Sequence, residues 1–245
     1  VQRTLEAITE FAAAVREFTP LMCAIATSAL RRADNANEFA ESVRAITGAP
    51  LEIISGEEEA RCSFEGAVSG LPPDQTYGVV DLGGGSTEYA DAVKHVSCEI
   101  GAVRLTERFP NLQGRIANAD LERARGDARR ALRPIDEFAS VDRLVAVGGS
   151  ATTVCAVLAG RRVESAYTQL SRTALAHTID LLASLPLEDR KELPGMNPQR
   201  ADILLAGAII LDEARAATGH DDVIVSTNDL LLGYLLRGSG GTSPA

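Results

Sequence analysis

The sequence predicts an α/β fold. Short apolar runs that end in Gly, Ser or Thr alternate with longer segments whose apolar residues recur at helical spacing. Alternation of that kind argues for strands joined through helices, with largely parallel pairing in each block. The composition fits. The chain has 245 residues, 45% hydrophobic and 24% charged, with 4% aromatic and no Trp, so its core must be aliphatic.

Residues 3–18 place Leu5, Ile8, Phe11, Ala12, Val15 and Phe18 on one helical face. The stretch 21–30 reads as a buried strand closing in a Thr-Ser turn. A helix follows, with Asn35 as its cap and Gly48 near its stop. Residues 50–55 alternate like a strand, and 56–68 read as a helix with Glu57, Glu58 and Glu59 in its first turn, favourable against the helix dipole. The Pro72-Pro73 loop marks a boundary.

A second block opens on strand, glycine turn and strand around VVDLGGGSTEY (79–89), continues as a meander and enters a helix near Val103. A helix over roughly 119–138 leads to strand, glycine turn and helix in DRLVAVGGSATTVCAVLAG (142–160). Ser171 caps a further helix, 200–219 is a long apolar helix, and 221–236 repeats strand, polar turn and helix. The Gly- and Ser-rich end is flexible in composition.

A net charge of −10 argues against binding a nucleic acid polymer, which needs Lys and Arg to neutralise phosphates. It leaves room for a small polyanion held by local groups or a metal. Cys23, Cys62, Cys98 and Cys155 form no CxxC pair and read as reduced core residues. No run is apolar and long enough for a membrane span. His95, His177 and His220 have no ligand spacing and read as structural or exposed. The chain opens on Val1, as a fragment or processed product would.

Three stretches carry chemistry. In DLGGGSTE, consecutive glycines at a strand end permit positive φ and let a ligand touch the backbone. Their N–H groups can form an anion nest, to which Ser86 and Thr87 add hydroxyls. Asp81 precedes the turn, placed to hold Mg²⁺ or position water, and Glu88 lies just beyond. A plain hairpin turn uses such glycines as well. Gly148, Gly149 and Ser150 repeat the arrangement before a helix start, which itself favours anions. The polar turn at 226–229 is explained equally by a helix cap. In SGEEEAR, crowding of like charges can raise the pKa of one acid, which would make it a candidate general base, with Arg61 close by in sequence as a partner; a solvated helix start explains Glu57 and Glu58. In ATSALRRADN, hydroxyls and an arginine can meet phosphate, or simply form a surface turn.

Together these stretches resemble the exopolyphosphatase / guanosine pentaphosphate phosphatase (Ppx/GppA) family. The resemblance rests on ATSALRRADN with NEF downstream, LEIISGEEEARCSFEGAV, VVDLGGGSTEY, IGAVRLTERF, VAVGGSATT and VSTNDLLLGYLL, in the family's order over nearly the whole chain. It implies an actin-like (ASKHA, ribonuclease H-like) two-domain fold with the active site in the interdomain cleft. On that expectation 1–73 is the remainder of domain I, 74–237 is domain II and 238–245 is a flexible tail. It also implies release of the terminal phosphate of inorganic polyphosphate or guanosine pentaphosphate with Mg²⁺. By position, Glu59 matches the proposed catalytic base and Asp81 the acid that orients metal or water. Gly83, Gly84, Gly85 and Ser86 match the phosphate loop, and Glu88 a further site acid. Arg31 matches an arginine near the phosphates, and Gly148, Gly149 and Ser150 a second phosphate loop. The resemblance points to a cytoplasmic bacterial protein with no membrane partner, with a homodimer as the assembly considered.

Two departures accompany it. The family's opening strand–Asp-x-Gly-(Ser/Thr)-Asn–strand loop does not precede the helix at Val1, and no HD-type helical domain follows residue 236, as in the short two-domain members. Two other functions stay open: a non-catalytic binder of polyphosphate or guanosine tetra- or pentaphosphate, and an actin-like kinase or ATPase.

Overall fold

The computed structural model describes residues 1–31 and 33–238. Chain contacts group them into two units, Val1–Glu59 and the residues from Ala60 onward. The division falls inside a helix, upstream of the Pro72-Pro73 loop.

In the first unit, helix α1 (Gln2–Arg16) precedes strand β1 (Ala24–Ala26), the short helix α2 (Ser28–Arg31), helix α3 (Ala36–Thr47) and strand β2 (Leu51–Ile53). α1 and α3 pack together, with Ala12 and Val43 buried. β1 and β2 pair in parallel, Ala24 opposite Leu51. The strand expected over 21–30 is only three residues long and half-buried, because the Thr27 carbonyl accepts the Leu30 and Arg31 N–H groups and turns the chain into α2. α3 ends as expected at Gly48, in the left-handed region at φ 78°. Asn35 stands at its N-cap without a side-chain cap bond.

Helix α4 (Gly56–Val68) has the predicted bounds and runs from the first unit into the second. The Ser55 hydroxyl accepts the Glu58 N–H and caps it. Then come strands β3 (Tyr77–Leu82), β4 (Thr87–Ala90) and β5 (His95–Cys98), helices α5 (Ala102–Arg108) and α6 (Asn118–Ala131), strand β6 (Arg143–Val147), helix α7 (Gly149–Ala159) and strand β7 (Tyr167–Ser171). Helices α8 (Arg172–Ser184), α9 (Leu187–Lys191) and α10 (Leu204–Ala217), strand β8 (Asp222–Ser226) and helix α11 (Leu230–Gly238) complete the order.

The second unit is built on a six-stranded sheet in the order β5-β4-β3-β6-β8-β7. The pairs β3–β6 and β6–β8 are parallel; β3–β4, β4–β5 and β7–β8 are antiparallel. The sheet is therefore mixed, rather than largely parallel. Successive β3 residues point to opposite faces. Val80 and Leu82 join the main core, with α10 at its centre; Tyr77 and Val79 pack with Val145, Val147 and Ala67 of α4. α10 is apolar nearly all round, as a helix enclosed on every side must be. Arg190 is fully buried and donates to the carbonyls of Leu112, Gly114 and Leu185; burial pulls its pKa down to about 10.

Other departures have local causes. The helix expected to reach 138 stops at Ala131, because Pro134 lacks an N–H and turns Arg133–Glu137 into a 3-10 segment. The long apolar helix begins at Leu204 rather than 200, after a 3-10 turn opened by Pro198. Strand β7 was not expected: its sequence YTQLS is polar because it lies at the sheet edge beside β8. Cys62, Cys98 and Cys155 are buried thiols, but Cys23 is exposed and not a core residue. The expected tail lies, after Gly238, outside the described residues.

Candidate active site

In the first unit, Glu59 sits in the opening turn of α4, and its Oε2 accepts from Arg31 Nη1 at 2.9 Å. The same guanidinium nitrogen donates to the Ile54 carbonyl at 2.7 Å, so Arg31 is tethered to the strand end that leads into α4. Glu59 is therefore paired with a cation that the sequence reading did not pair with it. Arg61, considered as that partner, faces Glu65 instead, 3.9 Å away on an exposed helix surface.

In the second unit, Asp81 closes the row Tyr77, Val79, Asp81 on the α4 face of β3. Its register partners are Glu88 on β4 and Val147 on β6. Directly opposed residues share a face, so Asp81 and Glu88 present two carboxylates side by side. Ser63 of α4 donates to Asp81 Oδ2, and Ser97 donates to Glu88 Oε1 at 2.9 Å.

The turn after β3 is held from one side. The N–H of Ala102 donates to the Gly83 carbonyl at 3.0 Å, and those of Val103 and Arg104 donate to the Gly84 carbonyl at 2.9 and 3.1 Å. The first N–H groups of α5 are thus taken by the turn. In a planar trans peptide the N–H points opposite the C=O. Those bonds therefore turn the N–H groups of Gly84 and Gly85 away from α5, at two exposed positions. The glycines do not serve the positive φ expected of them, since none of Gly83, Gly84 and Gly85 adopts it. The close approach falls at Gly101, where a Cβ would collide with the Gly84 carbonyl. Thr87 is buried and donates to the Ile100 carbonyl at 2.7 Å, so it is no ligand donor; Ser86 is half-buried beside the glycines.

The turn after β6 differs. Gly148 has φ 101°, and a Cβ there would lie 2.6 Å from the Leu82 carbonyl, so the two glycine turns touch at the ends of adjacent strands. Ser150 is buried, with its Oγ against Gly207 of α10. Gly148 and Gly149 line a cavity of about 770 Å³ together with Thr152, Asn197, Thr227 and Asp229. Arg162 and Arg200 also line it. Arg200 lies so close over Gly149 that any side chain there would collide with its guanidinium. Among the described residues neither Arg162 nor Arg200 has a side-chain hydrogen bond or ion pair. The 226–229 turn is both a cap and a wall: Asp229 Oδ1 accepts the Leu231 N–H at 3.0 Å and the turn borders the cavity.

Sequence reading missed Arg162, Arg200, Asn197 and Ser63. The Asn197-Pro198 dipeptide announces a turn, and Asn197 does cap it, but nothing local says which strand end that turn will cover. Of the three histidines, His220 bonds the Val141 carbonyl and Thr218, and His95 is exposed.

Among the described residues no three His, Cys, Asp or Glu side chains gather as a metal cluster. Mg²⁺ does not require one: it is usually held by one or two carboxylates, with waters and substrate phosphates filling the rest of its shell. Asp81 and Glu88, opposed on one face beside a turn with outward N–H groups, fit that donor set.

Known proteins share this arrangement of sequence and fold. A profile of the Ppx/GppA phosphatase family matches residues 1–237. Exopolyphosphatase 2 of Mycobacterium tuberculosis is 33% identical over 98% of the chain, which spans 82% of that protein. The bifunctional 3-dehydroquinate synthase/phosphatase of Fusobacterium nucleatum is 31% identical over 97% of the chain, which spans only 38% of that longer protein. A solved structure of the Aquifex aeolicus PPX-GPPA enzyme, 30% identical, superposes with a TM-score of 0.83 over 96% of this chain and 82% of that one. On coverage, identity and mixed α/β fold together, the chain belongs to the Ppx/GppA phosphatase family.

Proposed function

We propose that the chain carries a Mg²⁺-dependent phosphohydrolase that releases the terminal phosphate of inorganic polyphosphate or guanosine pentaphosphate. Family membership supports hydrolase chemistry. The observation that carries the finer reading is the juxtaposition of two unlike turns: an acidic one and a basic one end adjacent strands. A phosphoanhydride needs both, since its reacting phosphoryl group is neutralised by donors and a metal while the rest of the anion must be gripped separately.

In this reading the Gly84 and Gly85 N–H groups hold oxygens of the terminal phosphoryl group. Asp81 and Glu88 hold Mg²⁺, which when bound supplies positive charge to the phosphate oxygens. Water attacks phosphorus in line, Glu59 accepts its proton, and the bond to the bridging oxygen breaks, so the shortened chain leaves with that oxygen. Arg162 and Arg200 grip the departing anion, supplying locally the positive field that a net charge of −10 denies globally. The actin-like two-domain architecture, with its boundary at 73/74, and a cytoplasmic homodimer belong to the same proposal.

Replacing Glu59 by Gln in the whole protein should lower phosphate release about a thousand-fold, the range of a general base. EDTA should abolish the parental activity. One observation favours a second reading, a binder without turnover: Glu59 is engaged by Arg31 rather than waiting for water. Tight polyphosphate binding with no phosphate release by the parent, and no change on Glu59→Gln, would decide for it.

A further inference from the structure

We infer that Ser63 is a positioning residue for Asp81, a role that rests on the reading of Asp81 as the Mg²⁺-holding acid. Hydroxyls inside helices usually bond back to their own helix, four residues earlier. In this protein Thr9, Ser42, Thr47, Thr106, Thr153 and Thr178 all do so. Ser63 does not follow them. It is 4% exposed, and its hydroxyl leaves its own helix to donate to Oδ2 of Asp81 on β3. A buried donor committed across two elements to one carboxylate oxygen fixes the plane of that carboxylate. Metal-holding carboxylates rely on such partners for their orientation.

The helix is itself pinned where Ser63 sits. A Cβ on Gly233 of α11 would collide with the Cys62 carbonyl, and one on Gly66 would collide with the Asp229 carbonyl. The backbones of α4 and α11 therefore meet directly around the turn that bears Ser63, which leaves that turn little freedom to slide. Arg237 of α11 adds contacts to α4 beside them, reaching Cys62 Sγ and Glu65 Oε2, each at 3.5 Å. The hydroxyl thus inherits its position from backbone packing and passes it to Asp81.

The test uses the whole protein with inorganic phosphate and Mn²⁺ as the probe, read as loss of the free Mn²⁺ paramagnetic resonance signal. Ser63→Ala should weaken Mn²⁺ binding about ten-fold, as loss of a ligand-orienting partner does, and raise the Mg²⁺ concentration for half-maximal phosphate release by a similar factor. Ser63→Thr, which keeps the hydroxyl, should recover most of both. Ser63→Cys, close in volume but a weak donor, should fall between them and serves if the Ala variant is poorly folded by circular dichroism. Parental Mn²⁺ affinity in a folded Ala or Cys variant overturns the assignment. Asp81→Asn separates the two layers: if it binds Mn²⁺ like the parent, the reading of Asp81 falls and Ser63's role with it. If it loses Mn²⁺ while Ser63→Ala does not, only Ser63's role falls.

Discussion

The two glycine turns read alike and are built on different physics. The turn at Gly83–Gly85 keeps φ out of the left-handed region, gives its carbonyls to α5 and turns N–H groups outward between two carboxylates. The turn at Gly148–Gly149 requires φ 101° at its first residue, opens an eleven-residue helix and lies under the Arg200 guanidinium. One offers outward N–H groups beside acids, which under the proposed function suits a phosphate that arrives with a cation. The other is edged with arginines, which under the same proposal suits a bare anion. A glycine run therefore says that a backbone will be approached closely. The sign of the field there is set by what other segments bring to it, and Arg200 arrives from a turn some fifty residues further on.

The comparison breaks most visibly at Gly148. An L-residue there is held at φ 101° and ψ 161°, a region that essentially only glycine occupies, costing about 1–3 kcal/mol, and its Cβ would press on the Leu82 carbonyl 2.6 Å away. Gly148→Ala should lower unfolding free energy by about 3 kcal/mol in urea titration, the sum of backbone strain and overpacking. Because Leu82 ends the strand that feeds the first turn, activity should fall further than the stability loss alone explains. A variant as stable as the parent would mean that the turns are not braced against each other.

Arg200 sharpens it next. If Arg200 grips the phosphate chain as proposed, removing its guanidinium loses a charge-assisted bond, worth roughly ten-fold in KM with kcat little changed. Arg200→Ala should show that split with polyphosphate, and should flatten the dependence of KM on salt. Arg200→Lys keeps the charge but not the planar fork, and should recover only part. An unchanged KM would remove the basic turn from the substrate path.

How much of this was legible beforehand follows from the range of the forces involved. Helix α4, the glycine turns and the Ser171 cap were readable because local signals fix them: acids at a helix start, glycines at strand ends, a hydroxyl that accepts the Ala174 N–H. The pairing of Arg31 with Glu59 was not, since the nearer Arg61 in sequence points to Glu65. β7 escaped because an edge strand need not be apolar, and the expected length of the 119–138 helix overlooked what one proline does. Ser63 escaped for the strongest reason: in sequence it is one more helical serine, and only the register of β3 against α4 gives its hydroxyl a carboxylate to find.

The smallest expected effect is the finest probe of the first turn. Gly85 has an ordinary φ, and a Cβ added to it meets nothing within 4 Å. Gly85→Ala should therefore leave the fold intact and even gain about 0.4–1 kcal/mol, by narrowing the freedom of the unfolded chain. Its new methyl would nevertheless stand beside the N–H assigned to phosphate, so KM for polyphosphate should rise a few-fold while kcat holds. Gly148→Ala and Gly85→Ala then separate two uses of glycine. The first is needed by the protein itself, whether or not substrate is present. The second is needed only when a ligand comes up against the backbone. If Gly85→Ala gains stability and keeps the parental KM, no phosphate approaches that N–H, and the acidic turn must act through its carboxylates alone.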